Sequence, residues 1–346
     1  MKINALSIPF IITFCMISCT FSTGNPDQEQ KTNDPSTKLF AVEIYDSSAL
    51  EIISPDARIE LLANGFLWSE GPLWLDELQS LIFSDVPANK IYIWNEKDSL
   101  GVYLEPSGHT DAENINSGEG SNGLMLDMNK QLLLCQHGDR RIARMDAPLT
   151  APQATFTTIA DNFSDKTFNS PNDFVADQNG NIYFTDPPYG RPENKTGEIG
   201  FNGVFKVSTE QQVTLLTDTL TWPNGIALSL DQKTLYINQS DRNNPVLYSY
   251  EITADGLLTN GRILFDFISL SKTFKGLPDG LKVHRSGNIF ATGPGGVHLI
   301  SPDGKHLAAV KTGKATANCA FDTEQEYLYM TTTDMLLRVR LRQNQQ

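Results

Sequence analysis

The sequence predicts an all-β fold, a six-bladed β-propeller with four antiparallel strands per blade. Three observations predict it: a repeat period near fifty residues, a strand–turn–strand phrase in each repeat, and a strand count that closes the ring. Six times, a side chain offering an oxygen precedes a small or short residue and then a strand. The pairs are Glu70-Gly71, Asn122-Gly123, Asn172-Asp173, Asn224-Gly225, Asp279-Gly280 and Asn318-Cys319, with first members spaced by 52, 50, 52, 55 and 39 residues. After each pair come a short strand, a turn and a second strand, as in P-N-D-F-V-A-D-Q-N-G-N-I-Y-F-T-D. Strand-rich units at this period are the mark of a propeller.

The elements follow in order. Blade one reads as Leu73-Trp74, Ser80–Ser84, Ile91–Trp94 and Gly101–Leu104. Blade two reads as Leu124–Leu126, Leu132–Cys135, Arg141–Met145 and Thr155–Ile159. Blade three reads as Phe174–Ala176, Ile182–Thr185, Gly203–Val207 and Val213–Thr217. Blade four reads as Ile226–Leu228, Leu235–Asn238, Leu247–Tyr250 and Arg262–Phe265. Blade five reads as Leu281–Val283, Ile289–Thr292, Gly296–Ile300 and His306–Val310. These runs are rich in β-branched and aromatic residues and are bounded by Asp-Gly, Asn-Gly and Ser-Gly turns. The sixth repeat has only three strands, Ala320-Phe321, Leu328–Thr331 and Leu336–Arg340. Its missing outer strand is expected from the other end of the chain, in Ala57-Ile59-Leu61-Leu62. Joining the two ends in one blade closes the ring and removes the exposed edges of an open array.

The ends carry separate signals. Lys2, the apolar run Ala5 to Ile17 and the small residue before Cys19 read as a lipoprotein signal over residues 1–18. An acylated Cys19 would anchor an exported protein to a membrane, at a periplasmic or cell-surface face. Residues 19–38 are polar and read as a disordered tether, leaving 39–346 for the propeller. The body keeps Cys135 and Cys319, which read as two buried free thiols. A net charge of −14 argues against nucleic acid as a partner, because a basic stripe would be needed. No protein partner is evident.

The first strand of each blade lines a propeller's channel, so the six oxygen-bearing residues converge on the axis. They are two carboxylates and four amides, with no Lys or Arg among them. Asn-Gly and Asp-Gly also form turns, but Glu70 is no turn former. Two converging anions need a counter-charge, and a divalent cation provides it. A mixture of carboxylates and amides suits Ca2+ best, with Mg2+, Mn2+ or Zn2+ as alternatives. The long connections (105–121, 161–171, 186–202 and 266–278) lie on the same face as these oxygens, where function gathers on a rigid scaffold.

The sequence resembles the gluconolactonase and senescence-marker-protein (regucalcin) family, and within it the bacterial gluconolactonases. The resemblance spans residues 56 to 341. It is densest in Glu70-Gly71-Pro72-Leu73-Trp74, Phe83-Ser84-Asp85-Val86-Pro87 and Cys135-Gln136-His137-Gly138-Asp139-Arg140-Arg141. It is as dense in Asn169-Ser170-Pro171-Asn172-Asp173 and Phe184-Thr185-Asp186-Pro187-Pro188-Tyr189-Gly190. The resemblance implies Glu70, Asn224 and Asp279 as metal ligands, with Asp279 also as general base. It implies Asn172 at the border of metal and substrate, and Asn122 and His137 facing substrate. His137 is a second candidate for the catalytic proton acceptor. Tyr189 and Arg191 are expected in a lid over the site, with Tyr189 touching substrate. Asn318 has the register but no family role. The implied activity is Ca2+-dependent hydrolysis of a sugar lactone to the aldonic acid. Two alternatives stay open: an arylesterase or phosphotriesterase on the same fold, and a non-catalytic, lipid-anchored sugar-binding propeller.

Overall fold

A computed structural model describes residues 40–110 and 119–342. The expected signal segment, Cys19 and the tether lie outside the described residues. Six antiparallel sheets stand around a central channel, each with its innermost strand at the axis. The innermost strands are Ser69–Leu75, Ser121–Leu126, Phe174–Ala176, Pro223–Leu228, Leu281–Val283 and Asn318–Phe321. Each packs against its successor, and the last packs against the first, so the ring is closed.

Closure occurs as the strand count requires. Ile59–Asn64 pairs antiparallel with Met335–Arg340, with Ile59 opposite Val339 and Leu61 opposite Leu337. This strand begins two residues later than expected. Across the junction, Phe66, Leu81, Phe83 and Trp94 of blade one bury against Ala320, Tyr329 and Leu336 of blade six. Burying each large side chain contributes about 1.5–3 kcal/mol. The two chain ends are therefore held by side-chain packing as well as by the ladder.

Several elements differ from the sequence reading. In blades one, two, four and six the innermost strand already includes the oxygen-bearing residue: Glu70 and Asn318 pair across the sheet, and Asn122 and Asn224 sit in bulges just after the paired Ser121 and Pro223. Blade four has longer strands than expected, Thr234–Asp241, Asn244–Ile252 and Leu258–Asp266. Blade five carries a fifth strand, Ala41–Ile44, laid on His306–Lys311. It covers an edge that would otherwise stand open. The long connections contain a small hairpin, Asn162–Phe163 with Lys166–Thr167, and a short helix, Ile268–Ser271. Cys135 and Cys319 are free and buried, as expected. No helix among the described residues is long and apolar enough to cross a membrane.

The small residue after each axial oxygen has a packing cause. Gly71 has φ +48°, and a Cβ there would stand 2.0 Å from the Asn122 carbonyl oxygen of the next blade. At Gly225 a Cβ would stand 2.2 Å from the Asp279 carbonyl oxygen. The room is used for bonding between blades: Gly225 N–H donates to the Asp279 carbonyl at 3.2 Å, and Gly123 N–H to the Asn172 carbonyl at 2.9 Å. Gly71→Ala should therefore cost more than about 2 kcal/mol, since strain and collision act together. A urea midpoint unchanged from wild type would contradict this packing.

Candidate active site

Side-chain hydrogen bonds from the second strands of blades one, three and four pin the backbone around the axial residues. At the end of the second strands stand the dipeptides Ser84-Asp85, Thr185-Asp186 and Asn238-Gln239. The first member of each reaches to the next blade: Ser84 Oγ donates to the Asn122 carbonyl at 2.9 Å, Thr185 Oγ1 to the Asn224 carbonyl at 2.7 Å, and Asn238 Nδ2 to the Asp279 carbonyl at 2.7 Å. The second member holds its own blade's approach to the axis. Asp85 accepts from Leu67 and Trp68 N–H at 3.0 Å each. Asp186 accepts from Asn169 and Ser170 N–H at 2.8 Å each, and Gln239 accepts from Thr221 N–H at 3.0 Å. With the backbone pinned on both sides, the side chains have only the axis to point to.

They meet at the floor of a cavity of about 430 Å3 on the long-loop face. Glu70, Asn122, Asn172, Asn224 and Asp279 form the floor. His137, Tyr189, Glu119 and Arg242 stand on the polar wall, and Trp68, Val86, Pro87 and Leu277 on the apolar one. The amides form a directed chain. Asn122 Nδ2 donates to Asn172 Oδ1 at 2.8 Å, Asn172 Nδ2 to Asn224 Oδ1 at 2.6 Å, and Asn224 Nδ2 to Ser240 Oγ at 3.0 Å. Ser240 in turn donates to the Pro278 carbonyl, next to Asp279. The chain fixes which way each amide faces.

The carboxylates are left wanting. Glu70 Oε2 accepts the N–H of Gly71 at 3.1 Å. Asp279 Oδ1 and Asn122 Oδ1 are sealed from solvent with no partner. Burial pushes Glu70 up to about 7, helped by the nearby charge of Asp173. Asp279 is raised well above the usual carboxylate range by burial, then by Glu70 and Asp173. Two buried carboxylates, with Glu70 opposing the ionisation of Asp279, stand beside amide oxygens, a donor set of the kind a divalent cation takes. The set fits a hard divalent ion: Glu70 and Asp279 would bring charge, and Asn224 and Asn172 each keep a second lone pair on the amide oxygen. Among the described residues no group of three or more His, Cys, Asp or Glu could hold an ion, so the amides are required.

The structure brings together Glu70, Asn122, Asn172, Asn224, Asp279, His137 and Tyr189. Tyr189 stacks on Trp222 with centroids 5.4 Å apart, and its buried hydroxyl has no partner. Both ring nitrogens of buried His137 are also without a hydrogen bond, with Glu119 Oε2 3.7 Å from Nδ1. Arg191 does not join them. Its Nε donates to the Lys195 carbonyl at 3.0 Å, within its own loop, and it lines no part of the cavity. Asn318 lies outside the cavity lining, bonded toward Asp173 and Lys282. Lys282, which is not one of the six aligned positions, brings an ammonium to within 3.9 Å of the Asp173 carboxylate. The repeat marks only the start of each innermost strand, and Lys282 follows Asp279 by three residues. Ser240, Glu119 and Trp68 carried no repeat signal either.

Residues 68–334 match the family model described as SMP-30/Gluconolactonase/LRE-like region. The chain belongs to that family. It is 32% identical to a gluconolactonase of Zymomonas mobilis, over 97% of this chain and 96% of that protein. A solved gluconolactonase structure from Xanthomonas campestris superposes with a TM-score of 0.76 at 27% identity, covering 87% of this chain and 95% of that one. A lactonohydrolase of Aspergillus oryzae is 28% identical over 53% of this chain and 46% of that protein.

The raised carboxylates give a pH dependence. From about 4.5, the ordinary value, to about 7, the folded protein holds the Glu70 proton more tightly than the unfolded chain. In that window stability falls as pH rises. The melting temperature of chelator-treated protein should therefore drop between pH 4.5 and 7, and Glu70→Gln should flatten the drop.

Proposed function

We propose that this protein is a lactone hydrolase of the gluconolactonase type, opening a sugar lactone to its aldonic acid with a divalent cation at the axis. Ca2+ is the proposed ion, because every available donor is an oxygen and the set mixes carboxylate with amide. The observation that carries the reading is the pair of buried carboxylates, Glu70 and Asp279, in the lining of one cavity, with Asp279 Oδ1 unpartnered, in a chain of this family. The names of the relatives in Zymomonas mobilis and Xanthomonas campestris support the substrate class.

When bound, the cation supplies Lewis-acid polarisation of the lactone carbonyl and offsets the charge developing on its oxygen. The protein's side chains do the rest. Asn122 Oδ1 and one ring nitrogen of His137 accept from sugar hydroxyls, the other His137 nitrogen donates to one, and the Tyr189 hydroxyl donates to another. The Trp68, Val86, Pro87 and Leu277 wall faces the ring's C–H groups and keeps bulk water off them. Asp279 takes a proton from the attacking water as its oxygen bonds to the carbonyl carbon. The ring C–O bond then breaks, and the proton passes from Asp279 to the departing ring oxygen. The carboxylic acid so formed keeps the second proton of the water and loses it to solvent, which leaves the aldonate.

Purified protein with Ca2+ should open glucono-δ-lactone well above the spontaneous rate, followed by acid release. Asp279→Asn should lower kcat by roughly 10²- to 10⁴-fold, and a chelator should abolish turnover reversibly. Phenyl acetate and paraoxon, run in parallel, should be poorer substrates. Rates on the lactone no better than spontaneous would sink the reading.

Export and anchoring at Cys19 belong to the same proposal, supported by Lys2, the apolar run and Ser18 before the cysteine. Cells fed labelled palmitate should label the wild-type chain, and Cys19→Ala should lose the label.

A further inference from the structure

The residue after the axial oxygen is Gly in four repeats, and close approach of the next blade explains it. In blade three that residue is Asp173, with a side chain only 4% exposed. Its Oδ1 accepts Phe174 N–H at 2.9 Å, and its Oδ2 lies 3.5 Å from Asn318 Nδ2 and 3.9 Å from Lys282 Nζ. Lys282 comes from blade five, across the channel. Its ammonium also donates to Asn318 Oδ1 at 3.4 Å and to the Leu281 carbonyl at 3.1 Å. Asp173, Lys282 and Asn318 line no part of the cavity. They touch no substrate there, yet Asp173 bears electrostatically on both Glu70 and Asp279.

We propose that Asp173 and Lys282 form an internal ion pair that sets the charge of the axial site, with Lys282 holding down its affinity for a divalent cation. The inference rests on the cation reading given above. Three carboxylates (Glu70, Asp173 and Asp279) and one ammonium leave the charge that a divalent ion cancels. Without the ammonium, the channel would hold one negative charge too many, and the ion would bind tighter and leave more slowly. Without Asp173, Lys282 would stand as an unopposed cation near the site and repel the ion. Asn318 bridges the two, donating toward the carboxylate and accepting from the ammonium, so each stays in place whether or not the site above is filled. Lys282 and Asp173 are positioning residues, since they act through Glu70 and Asp279.

The test is calorimetric titration of the full-length chain with CaCl2, for wild type, Lys282→Met, Asp173→Asn and the double variant. A unit charge in a channel of intermediate dielectric shifts divalent affinity by roughly ten-fold, with Lys282 one-third exposed and so partly screened. The pair predicts opposite signs: Lys282→Met tightens Ca2+ binding about ten-fold, and Asp173→Asn weakens it by a similar factor. The double variant, neutral at both places, returns to within about three-fold of wild type. A merely structural pair would weaken binding in both single variants, and that result overturns the proposal, as does no change in either. If Lys282→Met does not fold, Asp173→Asn and the double variant still decide: the double must bind more tightly than Asp173→Asn alone. A wild-type chain that binds no Ca2+ overturns the cation reading itself, an outcome separate from wild-type binding that the variants leave unmoved.

Discussion

The bond that everything else depends on is the one between neighbouring blades at the axis. The axial carbonyls of Asn122, Asn172, Asn224 and Asp279 accept from a donor on the blade before, and in blade six the neighbouring Ala317 carbonyl does so, from Gly280 N–H. Gly225 and Asn238 serve Asp279, Thr185 serves Asn224, and Gly123 serves Asn172. These contacts demand backbone approach closer than a Cβ allows, which accounts for the small residue after most of the axial oxygens. They also explain why the oxygen residue is polar. Its backbone is fixed from both sides, its side chain is forced into the channel, and an apolar group there would face the cavity floor. Ring closure through Ile59–Asn64 supports the same seam between blades six and one.

A repeated seam builds equivalent positions, and the site arises where that equivalence is broken. Two of the six axial residues are carboxylates, and burial makes each resist ionisation, Glu70 further under the charge of Asp173 and Asp279 under those of Glu70 and Asp173. The amides between them are ordered by a one-way chain of donors ending at Ser240. Blade three breaks the pattern a second time, with Asp173 in place of Gly. That substitution puts a third carboxylate into the channel and gives Lys282 its partner. The loops then add what the repeat cannot supply: His137, Tyr189 and the apolar wall, which give the floor a substrate-sized space above it.

The sequence made the propeller and most of the floor legible because both follow from the seam. A small residue after an oxygen, at a period near fifty, is a backbone requirement written in residue types. What stayed hidden depends on side-chain direction across the ring. Lys282 reaches from blade five to blade three, and no local pattern records that. Arg191 sits in the expected loop beside Tyr189 but turns back to the Lys195 carbonyl, a choice made by loop shape. Ala41–Ile44 is too short to announce a strand, and its partner on blade five lies more than 260 residues away.

The central claim is that Glu70, Asn224 and Asp279 together hold a divalent cation at the axis. Its most direct test is anomalous scattering from crystals grown with Mn2+ in place of Ca2+. The account predicts one strong peak at the cavity floor within about 2.0–2.6 Å of oxygens from all three side chains. A channel without a peak at full Mn2+ occupancy elsewhere, or a peak bound by neither Glu70 nor Asp279, would contradict it.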